Sequence, residues 1–207
     1  MKYLLLIFLL VAYMGCSPKL SSSFKKLSKP EKNWVFWHAF KAKKAYGITV
    51  NVQQTVDSVC NTGIIGCDIN GGRLDAFKHS FWMARLAQAV GKRTANSLGQ
   101  AHEKGNYQSY EKMQQEDGLL PDKQSTEMDL HNNAVGISIG HNFKNTSKKN
   151  IVNKVLDSLK HGKLRMLDKD SEGYFLDCQK QRIPLDSLKN RWDTMKCLVP
   201  SSTLMMN

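Results

Sequence analysis

Six polar side chains in the middle of the chain are of the types that hydrolytic and metal sites use: Asp75, His79, His102, Glu103, Asp129 and Asn133. In DAFKHSFWMARLAQAVG, Asp75 and His79 are four residues apart, so a helix points both at the same neighbour. That face continues through Trp82, Met83 and Leu86, an apolar stripe whose polar end would be partly desolvated. His102 and Glu103 are adjacent, about 100° apart on a helix, so one of the two at most faces a given centre. In MDLHNNAVGISIG, Asp129, Asn132, Asn133 and Gly136 share one face with Gly140 a turn further, while His131 points elsewhere. Glycines at such a contact let two helices approach closely. Acid and amide groups beside it must be hydrogen-bonded or serve a site.

Two functions fit these residues. In the first, the chain is a hydrolase of the cell envelope acting on a lipid, a peptidoglycan fragment or a phosphoester. His79 is then general base or ligand, Asp75 orients it, and His102 or Glu103 with Asp129 completes the site, with Trp82, Asn132 and Asn133 as binding residues. A divalent metal on Asp75, His79, His102 and Asp129 is compatible with this, although no HExxH motif occurs. In the second, the same groups knit helices together in a non-catalytic envelope protein: Asp75 caps its helix and His79 is a satisfied core histidine. A GxSxG elbow, a Walker loop and a dinucleotide-binding glycine fingerprint are all missing, which removes the commonest serine-hydrolase and nucleotide-binding readings.

The elements that must hold these residues read as mainly α: a compact multi-helix domain with a small C-terminal β-hairpin. Ser28 and Glu31 have capping-box spacing before NWVFWHAFKAKKAYG, where Trp34, Trp37, Phe40 and Lys41 share a stripe and Gly47 ends the run. Val50 to Cys60 reads as a helix or a strand, and GCDINGGRLD as an irregular loop. Helices are expected from about Leu74 to Val90, Lys92 to Lys104 and Lys123 to Phe143, with mostly loop from Tyr107 to Pro121. Thr146 or Ser147 caps a further helix that Gly162 stops. Leu164–Leu167 and Tyr174–Ile183 flank the turn DKDSEG, and Pro184 opens a last helix containing Leu188, Trp192 and Met195.

The N-terminus, MKYLLLIFLLVAYMGC, has a basic residue, an apolar run too short to span a bilayer, and a glycine before Cys16, the layout of a cleaved export signal. Residues 1–15 are therefore expected as a signal peptide, 16–29 as a Ser/Lys-rich tether and 30–207 as one helical domain. The end of the signal resembles the lipobox of bacterial lipoproteins, which implies lipid, palmitate included, on Cys16 and a place in the bacterial envelope, the outer membrane before the inner. Net charge is +12, and eight lysines lie between Ser17 and Tyr46 against Glu31 alone. Beside a lipid anchor such a stretch suits anionic headgroups, so the expected partner is the membrane rather than nucleic acid; any further envelope partner stays open. The other four cysteines form local pairs, Cys60 with Cys67 and Cys178 with Cys197. In an exported chain these are expected as disulfides, and a zinc–thiolate site would need ligands the sequence does not offer nearby.

The runs NGGRLDAFKHSFWMARLAQAVG, AHEKGN and MDLHNNAVGISIG resemble an uncharacterised bacterial helical domain found in envelope lipoproteins and large secreted proteins. Its pattern is approximately NG, DAFRHAYW, AHE, MDLHNN and a glycine. The match covers about Asn70 to Leu167, with Lys78 for the usual arginine and Ser80 for the usual alanine. It implies that Asp75, His79, Trp82, His102, Glu103, Asp129, Asn132, Asn133 and Gly136 are signature positions, and it carries no activity. A fainter likeness, to phospholipase A2, rests on a histidine helix after a glycine-rich loop. Ser80 stands where that family has aspartate.

Overall fold

A computed structural model describes residues 18–115 and 119–203. The expected export signal and Cys16 lie outside them. The described chain forms eight helices and one small sheet: α1 Pro18–Lys26, α2 Lys29–Trp37, α3 Ala39–Asn61, α4 Arg73–Val90, α5 Lys92–Glu111, α6 Lys123–Asn142, α7 Lys148–Lys160, β1 Arg165–Leu167, α8 Leu185–Leu188 and β2 Leu198–Pro200. None of these helices is long and apolar enough to cross a membrane.

α2 starts on the expected capping box: Ser28 N–H donates to Glu31 Oε2 (2.8 Å), and Glu31 N–H donates to Ser28 Oγ (3.4 Å). The helix breaks at His38 (φ −122°, ψ 33°). The expected aromatic stripe is not buried together: Trp34 is buried and its indole N–H donates to Ser97 Oγ, whereas Trp37 at the end of α2 and Phe40 beyond the break face solvent. Gly47 does not end a helix. It sits inside α3, where Ala42, Ala45, Val52, Val56 and Val59 form a buried stripe at three- and four-residue spacing. A mid-helix glycine costs about 1 kcal/mol, less than such a stripe contributes. The same stripe makes Val50–Cys60 helical rather than extended.

α4 is the central helix and packs on α3, α5, α6 and α7. One side meets Val52, Val56, Ile151, Val155 and Leu164 through Phe77 and Phe81; the other meets Trp34, Ala45, Leu98 and Ile137 through Met83 and Leu86. Phe77 and Phe81 are fully buried, and each contributes about 1.5–3 kcal/mol of hydrophobic stabilisation. α5 runs on to Glu111, so part of the expected loop is helical, and Tyr107 and Tyr110 pack on Trp192 at 4.8 and 5.1 Å between ring centroids. Trp192 and Met195 lie beyond α8, which Pro184 precedes as expected.

The small sheet is antiparallel, but β1 pairs with β2, Met166 opposite Val199. The DKDSEG turn forms, with Asp170 Oδ1 accepting from Glu172 and Tyr174 N–H. Beyond it lie only the isolated bridges Lys169–Phe175 and Leu176–Arg182. Cys197 explains the partner: its C=O accepts from Asp168 N–H and its N–H donates to Leu176 C=O. Cys197 therefore holds β2 beside β1, and its disulfide to Cys178 fixes the intervening arm. Cys60–Cys67 ties the end of α3 to the loop before α4. Closing loops of these lengths contributes roughly 2 to 3 kcal/mol each in the chain-entropy model.

Candidate active site

The loop Gly66–Gly72 builds one wall. Gly71 has φ +85°, and a Cβ there would lie 2.6 Å from Leu167 Cδ1, so both conformation and space require glycine. Leu167 N–H donates to Gly71 C=O (2.7 Å), which fastens the loop to β1. Lys169 Nζ holds its other end, donating to Asp68 Oδ2 (2.6 Å) and Asn70 C=O (2.8 Å). So fixed, Gly71 N–H donates to Asp75 Oδ2 at 2.9 Å. Asp75 thus reaches back to the residue before the helix cap, Gly72, rather than capping α4 itself.

The second wall comes from α6. A Cβ on Gly136 would lie 2.0 Å from Ser80 O, and one on Gly140 2.1 Å from Ala84 O. The residue offset is the same at both contacts, so α4 and α6 run side by side in the same direction with their backbones touching. Two turns before Gly136, Asp129 therefore meets the start of α4. His79 Nε2 lies 3.4 Å from Asp129 Oδ1 and 3.6 Å from Asp75 Oδ1. One donor atom from each of the three buried residues lies within 4.8 Å of the others. Ligands about 2.0–2.1 Å from a tetrahedral ion are separated by about 3.3–3.4 Å, so the two imidazole–carboxylate spacings nearly match the edges of such a site.

Burial, then the positive charge of Lys78 and that of His102 in its protonated form, hold the pKa of His79 well below the ordinary histidine value; the neighbouring Asn133 side chain offsets only part of this. A neutral imidazole is the form that ligates metals. Lys78 Nζ lies 3.1 Å from Asp75 Oδ1. His79 Nδ1 and both polar atoms of the Asn133 amide are buried without a well-formed hydrogen bond.

At the rim, His102 Nδ1 lies 3.1 Å from Glu31 Oε1 of α2, and its ring is 6.2 Å from that of His79. Trp82 stands edge-on to His102 at 5.3 Å and its indole N–H donates to Thr49 Oγ1. The structure thus selects His102 from the adjacent pair. Glu103 is buried, accepts from Asn106 Nδ2 (3.2 Å) and does not line the cleft. Asn132 is also elsewhere: its amide clasps the backbone of Arg165, donating to the C=O (3.0 Å) and accepting from the N–H (2.9 Å).

Asp75, His79, His102 and Asp129 converge on one cleft of about 70 Å³, lined also by Asn70, Gly71, Lys78, Asn106, Ser125 and Lys196. Such a space holds an ion with a few waters or one small group. Sequence reasoning missed Glu31, seen there only as a capping residue, and the cations Lys78 and Lys196. The lysine at 196 is buried, paired with Asp122 and set over the Phe175 ring at 4.0 Å. Lys78 is one helical turn from Asp75, whereas only the tertiary fold brings Glu31 to His102 and Lys196 to the cleft.

No curated protein and no solved structure matches the chain. A family model does: residues 32–163 match a domain of unknown function, DUF6973, which spans α3 to α7 and so contains Asp75, His79, His102 and Asp129, while Glu31 and Lys196 lie outside it. The chain belongs to the DUF6973 family.

Proposed function

We propose that the protein is an envelope lipoprotein, anchored by lipid on Cys16, whose cleft is a divalent-metal site that hydrolyses a phosphoester. The observation that carries the hydrolytic part is the meeting of Asp75, His79 and Asp129 at metal-ligand spacing on the floor of a cleft. Two carboxylates and one neutral imidazole suit zinc, manganese or iron. Three protein ligands leave coordination positions for water and substrate.

An ion held there would supply Lewis-acid activation of water and of the phosphoryl group. Glu31 accepts the Nδ1–H of His102, which puts the basic lone pair on Nε2. His102 Nε2 takes a proton from the attacking water as the water oxygen bonds to phosphorus. The phosphorus–alkoxide bond breaks, and the same proton passes to the leaving oxygen. A phosphoester is favoured over a neutral ester by charge: a divalent ion balances Asp75 and Asp129, and Lys78 then leaves the floor positive. The anchor is supported by the Lys2, Leu4–Val11, Gly15, Cys16 pattern and by the lysines that follow it.

The structural alternative is supported by Asp75 accepting from Gly71 and by the Asn132–Arg165 clasp, both plainly architectural bonds. Hydrolysis of p-nitrophenyl phosphate and bis-p-nitrophenyl phosphate, with p-nitrophenyl acetate as comparison, separates the two. Turnover of a phosphoester that chelator abolishes, that zinc or manganese restores and that His102→Ala lowers at least about a hundredfold is the expected result. Turnover indifferent to chelator, or none with any of these ions, would reject the metal-hydrolase proposal. For the anchor, fatty acid should label the wild type and not Cys16→Ser.

A further inference from the structure

Far along α2 from Glu31, the chain exposes large aromatic side chains in a pattern that packing does not use. At the α2–α3 corner, Phe36 is 56 % exposed, Trp37 78 % and Phe40 86 %. Trp34, on the same helix as Phe36 and Trp37, turns inward and stacks on the His38 ring at 4.6 Å, while the break at His38 places Phe40 at the start of α3. Phe36 and Trp37 meet edge to face at 5.2 Å, so they form one projecting unit. A soluble surface scatters such side chains singly; three within five residues mark a contact face.

The charge around the corner says what the face meets. Lys25, Lys26 and Lys29 precede it and Lys41, Lys43 and Lys44 follow it, all exposed. Lys41 Nζ donates to Val90 C=O and Thr94 Oγ1, which brings the start of α5 alongside with exposed Lys92 and Arg93. From residue 17 to residue 56 the one acidic residue is Glu31, and its carboxylate is engaged with Ser28 and His102. A second copy of the chain would bring the same positive charge to this surface and be repelled. Exposed tryptophan and phenylalanine ringed by lysine fit the boundary between headgroups and acyl chains of an anionic bilayer, where the rings enter the interface and the ammonium groups meet phosphate.

We propose that the α2–α3 corner is a membrane-docking face, with Phe36, Trp37 and Phe40 inserted at the headgroup level of an anionic bilayer and the surrounding lysines on its phosphates. It is independent of the hydrolase proposal and of lipid on Cys16, and it adds a second, folded contact that would set how the domain lies on the membrane.

The test uses the full-length Cys16→Ser chain with vesicles of brominated phosphatidylcholine, with and without phosphatidylglycerol. The readout is fluorescence quenching in this protein minus that in the same protein carrying Trp37→Phe. The difference belongs to Trp37, whatever holds the N-terminus. The expected result is a Trp37-specific quenched component that requires phosphatidylglycerol and is lost in high salt. Phe36→Ser with Phe40→Ser should weaken that component's vesicle dependence by about tenfold or more, with an unchanged thermal melt. Equal quenching with and without Trp37 would overturn the proposal. So would self-association without vesicles that Trp37→Ala and Phe40→Ala abolish, since a second copy would then cover the face.

Discussion

Glu31 and His102 are 71 residues apart in sequence and 3.1 Å apart in the fold. Oε1 of that carboxylate meets the imidazole and Oε2 accepts the Ser28 amide, so one side chain both caps α2 and orients the rim histidine. Burial alone would raise the pKa of Glu31, but the hydrogen bonds and charge of His102, with Ser28, outweigh it and hold the value below normal.

Glu31→Gln should therefore do two things. It should lower phosphoesterase turnover without weakening metal binding, and it should cost about 1 kcal/mol of stability. Because the folded pKa is depressed, the wild-type contribution is complete above the unfolded glutamate value of about 4.3 and is lost as pH falls through the lower folded value. Denaturant melts across acidic pH check this: the wild type should lose its advantage over Glu31→Gln only below about pH 4.3.

His79 gives the opposite kind of window, nearer neutrality. Its imidazole is kept neutral by burial, by the charge of Lys78 and by that of His102 when protonated, so the unfolded chain takes up a proton first as pH falls. Stability should be level above about pH 6.5 and decline below it, with a shallower decline in His79→Gln. Parallel pH profiles for the two proteins would show that His79 does not carry the effect.

The α4–α6 contact predicts an asymmetry among glycines. Gly136→Ala places a methyl 2.0 Å from the Ser80 carbonyl, which is backbone and can yield only if the helices separate. A loss of about 3 kcal/mol is expected. Gly99→Ala meets only the Asn133 amide and the flexible Met83 side chain at 3.3 Å, and should cost less than about 1 kcal/mol. Thermal melts of the two variants check the ranking.

Asn132→Ala should leave the Arg165 N–H and C=O without their clasp and cost about 1–3 kcal/mol, while metal affinity stays that of the wild type. Chemical denaturation paired with metal titration measures both.

The helical face carrying Asp75 and His79, the contact allowed by Gly136 and Gly140, and both disulfides were legible from spacing, because helix periodicity and loop length are local properties. The choice of His102 over Glu103 was not, since 100° on an isolated helix does not say which side faces a neighbour. Asn132 and Asn133 are adjacent and chemically identical, and only the position of β1 makes one a backbone clasp and the other a neighbour of His79. Gly47 misled because a buried stripe outweighed its propensity, and the β1 partner was hidden because Cys197 determines it from some thirty residues away.

The most direct measurement is the metal affinity of purified protein, by calorimetric titration with zinc and manganese, in the wild type and in Asp129→Asn. The two side chains are nearly equal in size, so the change removes a charge and little packing. One ion per chain is predicted for the wild type, with affinity lost by at least about a hundredfold in Asp129→Asn and a thermal melt that chelator lowers only in the wild type. A wild type that binds neither ion, or an Asp129→Asn protein that binds as tightly, would contradict the metal site and leave the cluster a structural network.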